Sequence, residues 1–350
     1  MKKSLLALAA LTAFAGAASA QSSVTLFGIV DANVRSVDNG PAGKLRTQST
    51  DGMSSSRFGV RGIEDLGGGL KAGFWLEGAL GADTGGGAPS VGNGGSALTW
   101  QRRSTVSLMG DFGEIRLGRD YTPTFLNIVS FDPFNYVGVA TIANTRSLNV
   151  GSAGVNGDVR ANNQVSYFLP SLGGVYGQVS VSAGEGVTSA YNKSYGGRIG
   201  YAAGPINVSG AYRTVRQSGT MISDYKIASL AGSYDFGVAK INLIGEQTKY
   251  SSAKQNLING SVVVPFGASS IILAYTRSTG NSLTVTDAYK NSNIGLGYRY
   301  SLSKRTTLYA NYGRDANGNN AMFTASGAGP TPISTGFTST GYEMGINHAF

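Results

Sequence analysis

The sequence has 350 residues, with 52 glycines and no cysteine, and its formal net charge at pH 7 is +9. Charged residues make up only 13%, about half the share of an average soluble protein. Collagen is excluded because glycine does not recur at every third position, and the lack of cysteine excludes a disulfide-stapled domain. The basic surplus raises the local concentration of anions, but no cluster of basic and aromatic residues points to nucleic acid.

The first twenty residues have the pattern of a secretory signal peptide. Lys2 and Lys3 form the charged end, residues 5–16 the apolar run, and residues 18–20 (ASA) the small-residue cleavage site. The apolar run is shorter than the roughly 20 residues of a transmembrane helix, and no later run approaches that length. We therefore expect a mature chain that starts at Gln21 and forms a single domain over residues 21–350.

Most of the mature chain alternates apolar and polar residues, which is the pattern of β-strands with two different faces. Val24, Leu26 and Val30 share one face of a first strand, and Asp31 and Arg35 share the other. Similar alternation recurs near residues 57–62, 71–77, 104–108, 113–120, 162–169, 206–212, 241–243 and 294–300. About sixteen such strands predict an all-β fold, a closed antiparallel transmembrane β-barrel in which every strand has two hydrogen-bonded neighbours.

The connections between these strands alternate in length. Short ones lie at residues 66–69, 110–113, 170–174, 202–205, 235–237 and 301–304, and long ones at 38–54, 83–98, 121–160, 279–289 and 315–340. Outer-membrane barrels place short turns on the periplasmic side and long loops outside, with aromatic girdles at both interfaces. The 18 tyrosines, many of them near strand ends, would supply those girdles.

The longest interruption, residues 121–160, separates two alternating segments and has no period of its own. Loops of this length are uncommon and are usually functional or disordered, and this one carries several aromatic and aliphatic residues. We expect it to fold into the lumen of the barrel and to narrow the pore. An ordinary surface loop is the alternative.

The last ten residues form an amphipathic strand that ends in an aromatic residue. Its apolar face carries Tyr342, Met344, Ile346 and Phe350, together with His348. We expect this strand to close the barrel against the first strand, because a closed barrel needs a partner for both of its terminal strands.

Four segments resemble the Gram-negative trimeric porins of the beta-proteobacterial type. They are SVTLFGIVD at 23–31, GIEDLGGGLKAGFWLE at 62–77, the pair RRSTVSL at 102–108 with GEIRLGRD at 113–120, and GINHAF at 345–350. The resemblance spans the mature chain. It implies a sixteen-stranded barrel, a homotrimer, an inward-folded third loop and passive diffusion of small hydrophilic solutes. It also implies that the strand ending at Phe350 is the assembly signal read by the barrel-assembly machinery.

The resemblance also implies a pore constriction with basic residues on the wall and acidic residues on the third loop. The matching positions are Arg57, Arg61, Arg102, Arg103 and Arg160 on the wall and Asp132 on the loop. The alternation separately places Arg57, Arg103 and Arg160 opposite apolar residues. The loop lacks the enterobacterial Pro-Glu-Phe motif, and Asp158 is its only other acid. As an alternative, each arginine is a solvated lumen residue or a side chain that reaches the membrane interface.

Catalytic and metal-binding functions find little support in the sequence. A serine triad needs a histidine base, and the single histidine, His348, lies on an apolar face with Ile346 and Phe350. Zinc ligation by cysteine and histidine fails for the same reason, so we expect no cofactor and no zinc site. A calcium site of loop carboxylates stays open as an alternative, although no spacing points to one. The run at residues 67–71 (GGGLK) precedes an alternating segment and not a helix, so it predicts a tight turn and not a phosphate-binding loop.

The sequence therefore predicts an outer-membrane porin of a Gram-negative bacterium that is not an enzyme. It would pass ions and small solutes and prefer anions, because arginines in a pore favour them. Asp132 would face Arg57, Arg103 and Arg160 across the lumen and set a transverse field. The alternatives are a substrate-specific channel for organic acids or phosphate, and a closed structural or adhesive barrel. The expected partners are two further copies of the chain, outer-membrane lipid and lipopolysaccharide, the assembly machinery and the solutes.

Overall fold

The computed structural model describes residues 23–87, 98–146, 158–184, 193–216, 224–281, 289–318, 320–326, 329–332 and 334–350. The expected signal peptide, residues 1–20, lies outside these described residues. Within them, seventeen β-strands form one antiparallel sheet. They are β1 (Ser23–Asp38), β2 (Lys44–Thr50), β3 (Arg57–Gly67), β4 (Leu70–Ala79), β5 (Arg103–Gly110), β6 (Gly113–Tyr121), β7 (Arg160–Phe168), β8 (Val175–Ser182), β9 (Ser194–Ala203), β10 (Ile206–Arg216), β11 (Asp224–Asp235), β12 (Lys240–Tyr250), β13 (Ala253–Phe266), β14 (Ser269–Asn281), β15 (Tyr289–Ser301), β16 (Thr306–Asn317) and β17 (Thr338–Ala349).

The sheet closes on itself because β1 pairs with β17 over ten residue pairs, from Ile29 opposite Ala349 to Asp38 opposite Thr340. On its other side, β1 pairs with β3 along its first half and with β2 along its second half. β2 and β3 therefore occupy one strand position, and the barrel has sixteen positions, as the alternation predicts. Closure joins the two terminal strands of the sheet, as a sheet in lipid requires.

Side chains alternate between an apolar outer face and a polar inner face. On β1, Val24 and Leu26 are exposed, whereas Asp31 and Asn33 are buried. This arrangement inverts that of a soluble protein, because the outer face meets hydrocarbon and the inner face lines a polar lumen. Helices long and apolar enough to cross a membrane are lacking in the described part of the chain.

The two ends of the barrel differ in their connections. Tight turns join β3 to β4, β5 to β6 and β9 to β10 at one end, which we call the short-turn end. The opposite end, the long-loop end, breaks the predicted pattern twice. Residues 44–50, expected inside a long loop, form β2, and β12 joins β13 through only Ser251 and Ser252. The sequence of β2, KLRTQST, has no regular apolar alternation, so its strand character comes from its pairing with β1.

The described residues of the third loop between β6 and β7, 122–146 and 158–159, lie inside the barrel. The loop begins with helix α1 (Pro123–Val129), which is capped by a 3.2 Å hydrogen bond from the Phe125 N–H to the Thr122 hydroxyl. Farther along, Phe131 and Phe134 are buried against inward-facing residues of β11–β14. The expected inward fold is thus observed for residues 122–146, while residues 147–157 lie outside the described residues.

Candidate pore constriction

The first anchor of the third loop is Asn127 on α1, which is fully buried. Its side-chain amide donates to Ser229 Oγ on β11 at 2.9 Å. Its carbonyl oxygen accepts hydrogen bonds from Arg198 Nε on β9, at 3.2 Å, and from the Ser209 hydroxyl on β10. Three neighbouring strands thus hold one side chain, which fixes α1 against their inner face.

The second anchor is Arg146, near the far end of the described part of the loop. Its guanidinium donates to both carboxylate oxygens of Glu246 on β12, through Nε at 2.6 Å and Nη2 at 2.9 Å, and to both oxygens of Asp158. All three charged side chains are almost completely buried. Loss of one member of such a group leaves an uncompensated buried charge, so these residues hold the loop firmly to the wall.

The middle of the loop sits on glycines of β15 and β16. The Val139 N–H donates to Glu343 Oε1 on β17 at 3.1 Å. A Cβ atom added to Gly313 would lie 1.7 Å from the carbonyl oxygen of Val139, and one added to Gly295 would lie 2.5 Å from that of Ala140. The lack of side chains at these positions allows the loop backbone to lie directly against the sheet.

These loop contacts run from β8 round to β17, and the part of the wall from β3 to β7 carries six arginines. We call them the arginine wall: Arg57, Arg61, Arg102, Arg103, Arg116 and Arg160. Arg57 Nη1 lies 3.7 Å from Glu77 Oε1, and Arg103 Nε lies 3.6 Å from Asp120 Oδ2. Both arginines are on the inner face of the sheet, where the alternation places them.

Trp75 on β4 connects two members of the arginine wall. The guanidinium carbons of Arg61 and Arg103 lie 4.9 Å and 4.5 Å from the centre of a Trp75 ring. The indole N–H donates to Glu77 Oε2 at 3.1 Å, and Phe27 packs edge-on at 4.9 Å. Cation–π contact stabilises a guanidinium without neutralising it, so Arg61 and Arg103 are held in place with their charge intact.

Tyr121, at the end of β6, connects two further members of the arginine wall, Arg102 and Arg160. Its hydroxyl accepts hydrogen bonds from Arg102 Nη2 at 3.2 Å and from Arg160 Nη2 at 2.9 Å. Arg102 is buried and donates from Nε to Glu77 Oε1 at 2.6 Å, and Arg160 lies over the Tyr121 ring at 4.4 Å. The structure thus brings the five arginines expected from the sequence into one network with Glu77, Trp75 and Tyr121.

Asp132 does not take the position expected of it. It is buried, and its carboxylate accepts hydrogen bonds from the N–H groups of Phe134 and Tyr136, both at 3.0 Å, and from the Thr141 hydroxyl at 2.7 Å. Burial raises the pKa of this carboxyl, and the arginine whose charge opposes that effect is Arg299, outside the arginine wall. Asp132 therefore shapes the loop and does not face Arg57, Arg103 and Arg160.

The described face of the loop is uncharged towards the lumen. Asp132, Arg146 and Asp158 are all buried, and the exposed residues of the segment include Ser130 and Asn135. The described lumen therefore has a positively charged side and a neutral side.

Several residues of this network are not among those expected from the sequence, namely Trp75, Glu77, Glu114, Arg116, Asp120 and Tyr121. Arg116 donates to both oxygens of Glu114 at 2.8 Å and to Asp120 at 2.6 Å. The signal was present, because the alternation of GEIRLGRD places these three residues on the face opposite Ile115 and Leu117. What alternation does not give is which residues of neighbouring strands meet.

Comparisons with known proteins agree with this fold. The Gram-negative porin family matches residues 7–320. Outer membrane porin protein 32 of Delftia acidovorans is 39% identical, with 100% of each chain covered. An outer membrane porin of Bordetella pertussis is 30% identical, covering 89% of this chain and 93% of its own. The major outer membrane protein P.IB of Neisseria meningitidis is 26% identical over the full length of both chains.

Solved structures give the same result for the fold. An anion-selective porin from Comamonas acidovorans superposes with a TM-score of 0.84 at 36% identity, covering 94% of this chain and 100% of its own. OmpT of Vibrio cholerae shares the fold, with a TM-score of 0.68 at 14% identity over 95% of this chain and 100% of its own. With these matches, the closed sixteen-position barrel and its internal loop, the chain belongs to the Gram-negative porins and is an outer-membrane porin.

Proposed function

We propose that this porin allows passive diffusion of ions and small hydrophilic solutes and prefers anions. The observation that carries the proposal is the asymmetry of the lumen, where the arginine wall meets a loop whose described residues expose no charge. Among the described residues, only three carboxylates, those of Glu77, Glu114 and Asp120, form ion pairs with members of the arginine wall. Positive charge along a pore favours anions, and the 36% identical Comamonas acidovorans porin is named as anion-selective.

In the proposed mechanism, the third loop sets the narrowest width, and solutes pass between it and the arginine wall. Arg57, Arg103 and Arg160 offer N–H donors that replace part of the hydration shell of an anion. Glu77 and Tyr121 already hold several of these guanidinium groups, so little side-chain freedom is lost when an anion arrives. Contacts at successive arginines remain weak enough for the anion to leave.

The proposal extends to the cellular setting. Residues 1–20 are a cleaved leader, and the long-loop end faces outwards, as in other outer-membrane barrels. The porin forms a homotrimer, contacts lipid and lipopolysaccharide, and is assembled through the strand that ends at Phe350. It has no catalytic function and uses no cofactor, since the relatives named above are porins.

The first test is the reversal potential of the purified porin in a planar bilayer under a KCl gradient, with Arg57→Ala and Arg103→Ala measured beside it. We expect a wild-type reversal potential on the chloride side. Each substitution should move it towards zero, because a unit charge 4 Å from an ion in water contributes about 1 kcal/mol, a roughly fivefold change in permeability ratio.

A matched control is Arg277→Ala, which removes an arginine from the outer face of β14. It should leave the reversal potential unchanged. A potassium-side reversal in the wild type, unaffected by the two inner substitutions, would contradict the assigned selectivity. Liposome swelling with neutral sugars separates general diffusion from a channel specific for organic acids or phosphate, which would admit few of them, and a lack of any conductance would indicate a closed barrel.

A further inference from the structure

The hydroxyl of Tyr121 is held by two cations, while its own hydrogen has no acceptor. A phenolic hydroxyl accepts hydrogen bonds through its lone pairs and donates one hydrogen. The Tyr121 oxygen accepts from Arg102 Nη2 at 3.2 Å and from Arg160 Nη2 at 2.9 Å, and these are its only hydrogen bonds among the described residues. Because two guanidinium groups occupy the lone pairs, the O–H bond points away from both of them and is available to another acceptor.

The ring that carries this hydroxyl is fixed inside the barrel. It stacks on Phe125 of α1, with the ring centres 4.9 Å apart, and the guanidinium carbon of Arg160 lies 4.4 Å from its centre. Arg102 links the hydroxyl to Glu77 on the inner face of β4. Tyr121 and Arg160 are only half-buried. A solute near the long-loop end of the arginine wall therefore meets a hydroxyl that is already oriented.

The surroundings of the hydroxyl contain more hydrogen-bond donors than acceptors. The carboxylate of Glu77 accepts from Arg102 Nε at 2.6 Å and from the Trp75 indole at 3.1 Å, and Arg57 Nη1 lies 3.7 Å from it. The buried Nε–H groups of Arg57 and Arg160 have no acceptor in the described part of the chain. Three guanidinium groups thus share one carboxylate, and the excess of positive charge favours an anion.

We propose that Tyr121 donates its hydroxyl hydrogen to the permeating anion and makes the pore favour oxyanions over chloride. The inference rests on the proposed anion preference and specifies the class of anion. An O–H group forms a short, strong hydrogen bond of about 2.5–2.7 Å with a charged oxygen. A carboxylate or a phosphate has several oxygens, so one accepts from Tyr121 while another accepts from Arg160. Chloride offers one spherical acceptor, which gains from the positive charge but not from a donor aimed at a second oxygen.

The test is the chloride current through a planar bilayer, blocked by potassium acetate in one series and by potassium phosphate in another. In the wild type, at least one oxyanion should halve the current at a concentration below the one at which chloride half-saturates the conductance. Tyr121→Phe keeps the ring and removes only the hydroxyl. Loss of one hydrogen bond to a charged group weakens binding by about tenfold. The half-blocking concentration should rise by that factor, while half-saturation by chloride stays nearly unchanged.

The matched control is Tyr176→Phe on β8. The Tyr176 hydroxyl also accepts from an arginine, Arg198 Nη2 at 3.3 Å, but it donates its own hydrogen to Asn207 Oδ1 at 2.7 Å. That hydrogen is not available to a solute. The control variant should therefore have the half-blocking concentrations of the wild type.

A purely structural role of Tyr121 predicts the opposite result. If the hydroxyl only held Arg102 and Arg160, Tyr121→Phe would free their N–H groups, and both oxyanions would block as well as in the wild type or better. That result would overturn the proposal, whereas weaker block by either oxyanion supports it and identifies the source as a carboxylate or a phosphate.

The wild type tests the same inference without any variant. Weaker binding of both oxyanions than of chloride would overturn it. A reversal potential on the potassium side would refute the proposed anion preference itself. A chloride-side reversal potential without any preference for oxyanions would refute only the role of Tyr121.

Discussion

At the scale of single residues, Asp132 determines whether the third loop keeps its shape. Asp132→Ala would leave three buried donors, from Phe134, Tyr136 and Thr141, without their acceptor. Each unsatisfied buried donor costs about 1–3 kcal/mol. We expect much faster hydrogen exchange of the loop amides, measured by mass spectrometry, with unchanged exchange in the strands. Asp132→Asn keeps one carbonyl oxygen, so its effect should be smaller; equal effects would mean that acceptor number is not what matters.

The raised pKa of Asp132 adds a pH dependence with a definite sign. Burial makes the ionised form less favourable in the folded loop than in the open loop. The loop should therefore be most stable at low pH and lose stability as the pH rises from the ordinary value of about 3.9 through the raised folded pKa. After correction for intrinsic exchange, this slope should appear in the wild type and be absent from Asp132→Asn. A slope of opposite sign would contradict the burial argument.

The residues themselves show what a sequence can and cannot predict about such a site. The alternation predicts the inner face for Arg57 and Arg103, where the structure has them, because facing depends only on a period of two. The resemblance implies a lumen-facing acid at Asp132, but the burial of Asp132 depends on donors up to nine positions away that fold back on it. Trp75 and Glu77 were not singled out, because their importance lies in contacts with Arg103 and Arg102 from other parts of the chain.

At the scale of elements, the position of the third loop against the sheet depends on glycines, which have no side chain to push the loop away. In Gly313→Ala, the new Cβ would lie 1.7 Å from the Val139 carbonyl oxygen, whereas ordinary contact needs about 3.5 Å. The loop should shift towards the lumen by about 2 Å, break the Val139–Glu343 hydrogen bond and cost about 1–3 kcal/mol of strain. We expect lower or fluctuating single-channel conductance.

A matched substitution for this experiment is Gly245→Ala on β12, where an added Cβ meets nothing within 4 Å. Its conductance should equal that of the wild type, since the backbone change is the same but no loop contact is affected. If Gly313→Ala also conducts normally, the loop backbone is free to move along the wall without narrowing the pore. That outcome would show that contact between the Val139 backbone and Gly313 does not determine where the loop lies.

The strands differ in how clearly their own sequences predict them. The alternation predicts β1 closely because each face has its own chemistry, apolar outside and polar inside. The local pattern does not predict β2, because KLRTQST is polar on both faces apart from Leu45, with Arg46 and Gln48 exposed on the outside. Its strand conformation follows from hydrogen bonds to β1, which are tertiary interactions that a local pattern does not contain.

At the scale of the whole molecule, the barrel exists only if β17 reaches β1. Beyond the ten residue pairs of this seam, the Phe350 N–H donates to the Gly28 carbonyl and the Gly28 N–H donates to the Phe350 carbonyl, both at 3.1 Å. The Phe350 ring covers Gly28 so closely that a Cβ there would lie 2.4 Å from it. Phe350 thus has a packing role that is independent of the proposed recognition by the assembly machinery.

The two roles of Phe350 predict different outcomes for Phe350→Ala. The backbone bonds to Gly28 need no side chain, so refolding into detergent micelles, followed by heat-modifiable mobility on gels, should be nearly normal. If the terminal aromatic is also the assembly signal, the amount inserted into the outer membrane of cells should fall severalfold. Phe266→Ala is the control, because Phe266 is similarly exposed at the same end of the barrel, 48% against 43%. Equal losses in micelles and in cells would assign Phe350 to packing of the seam alone.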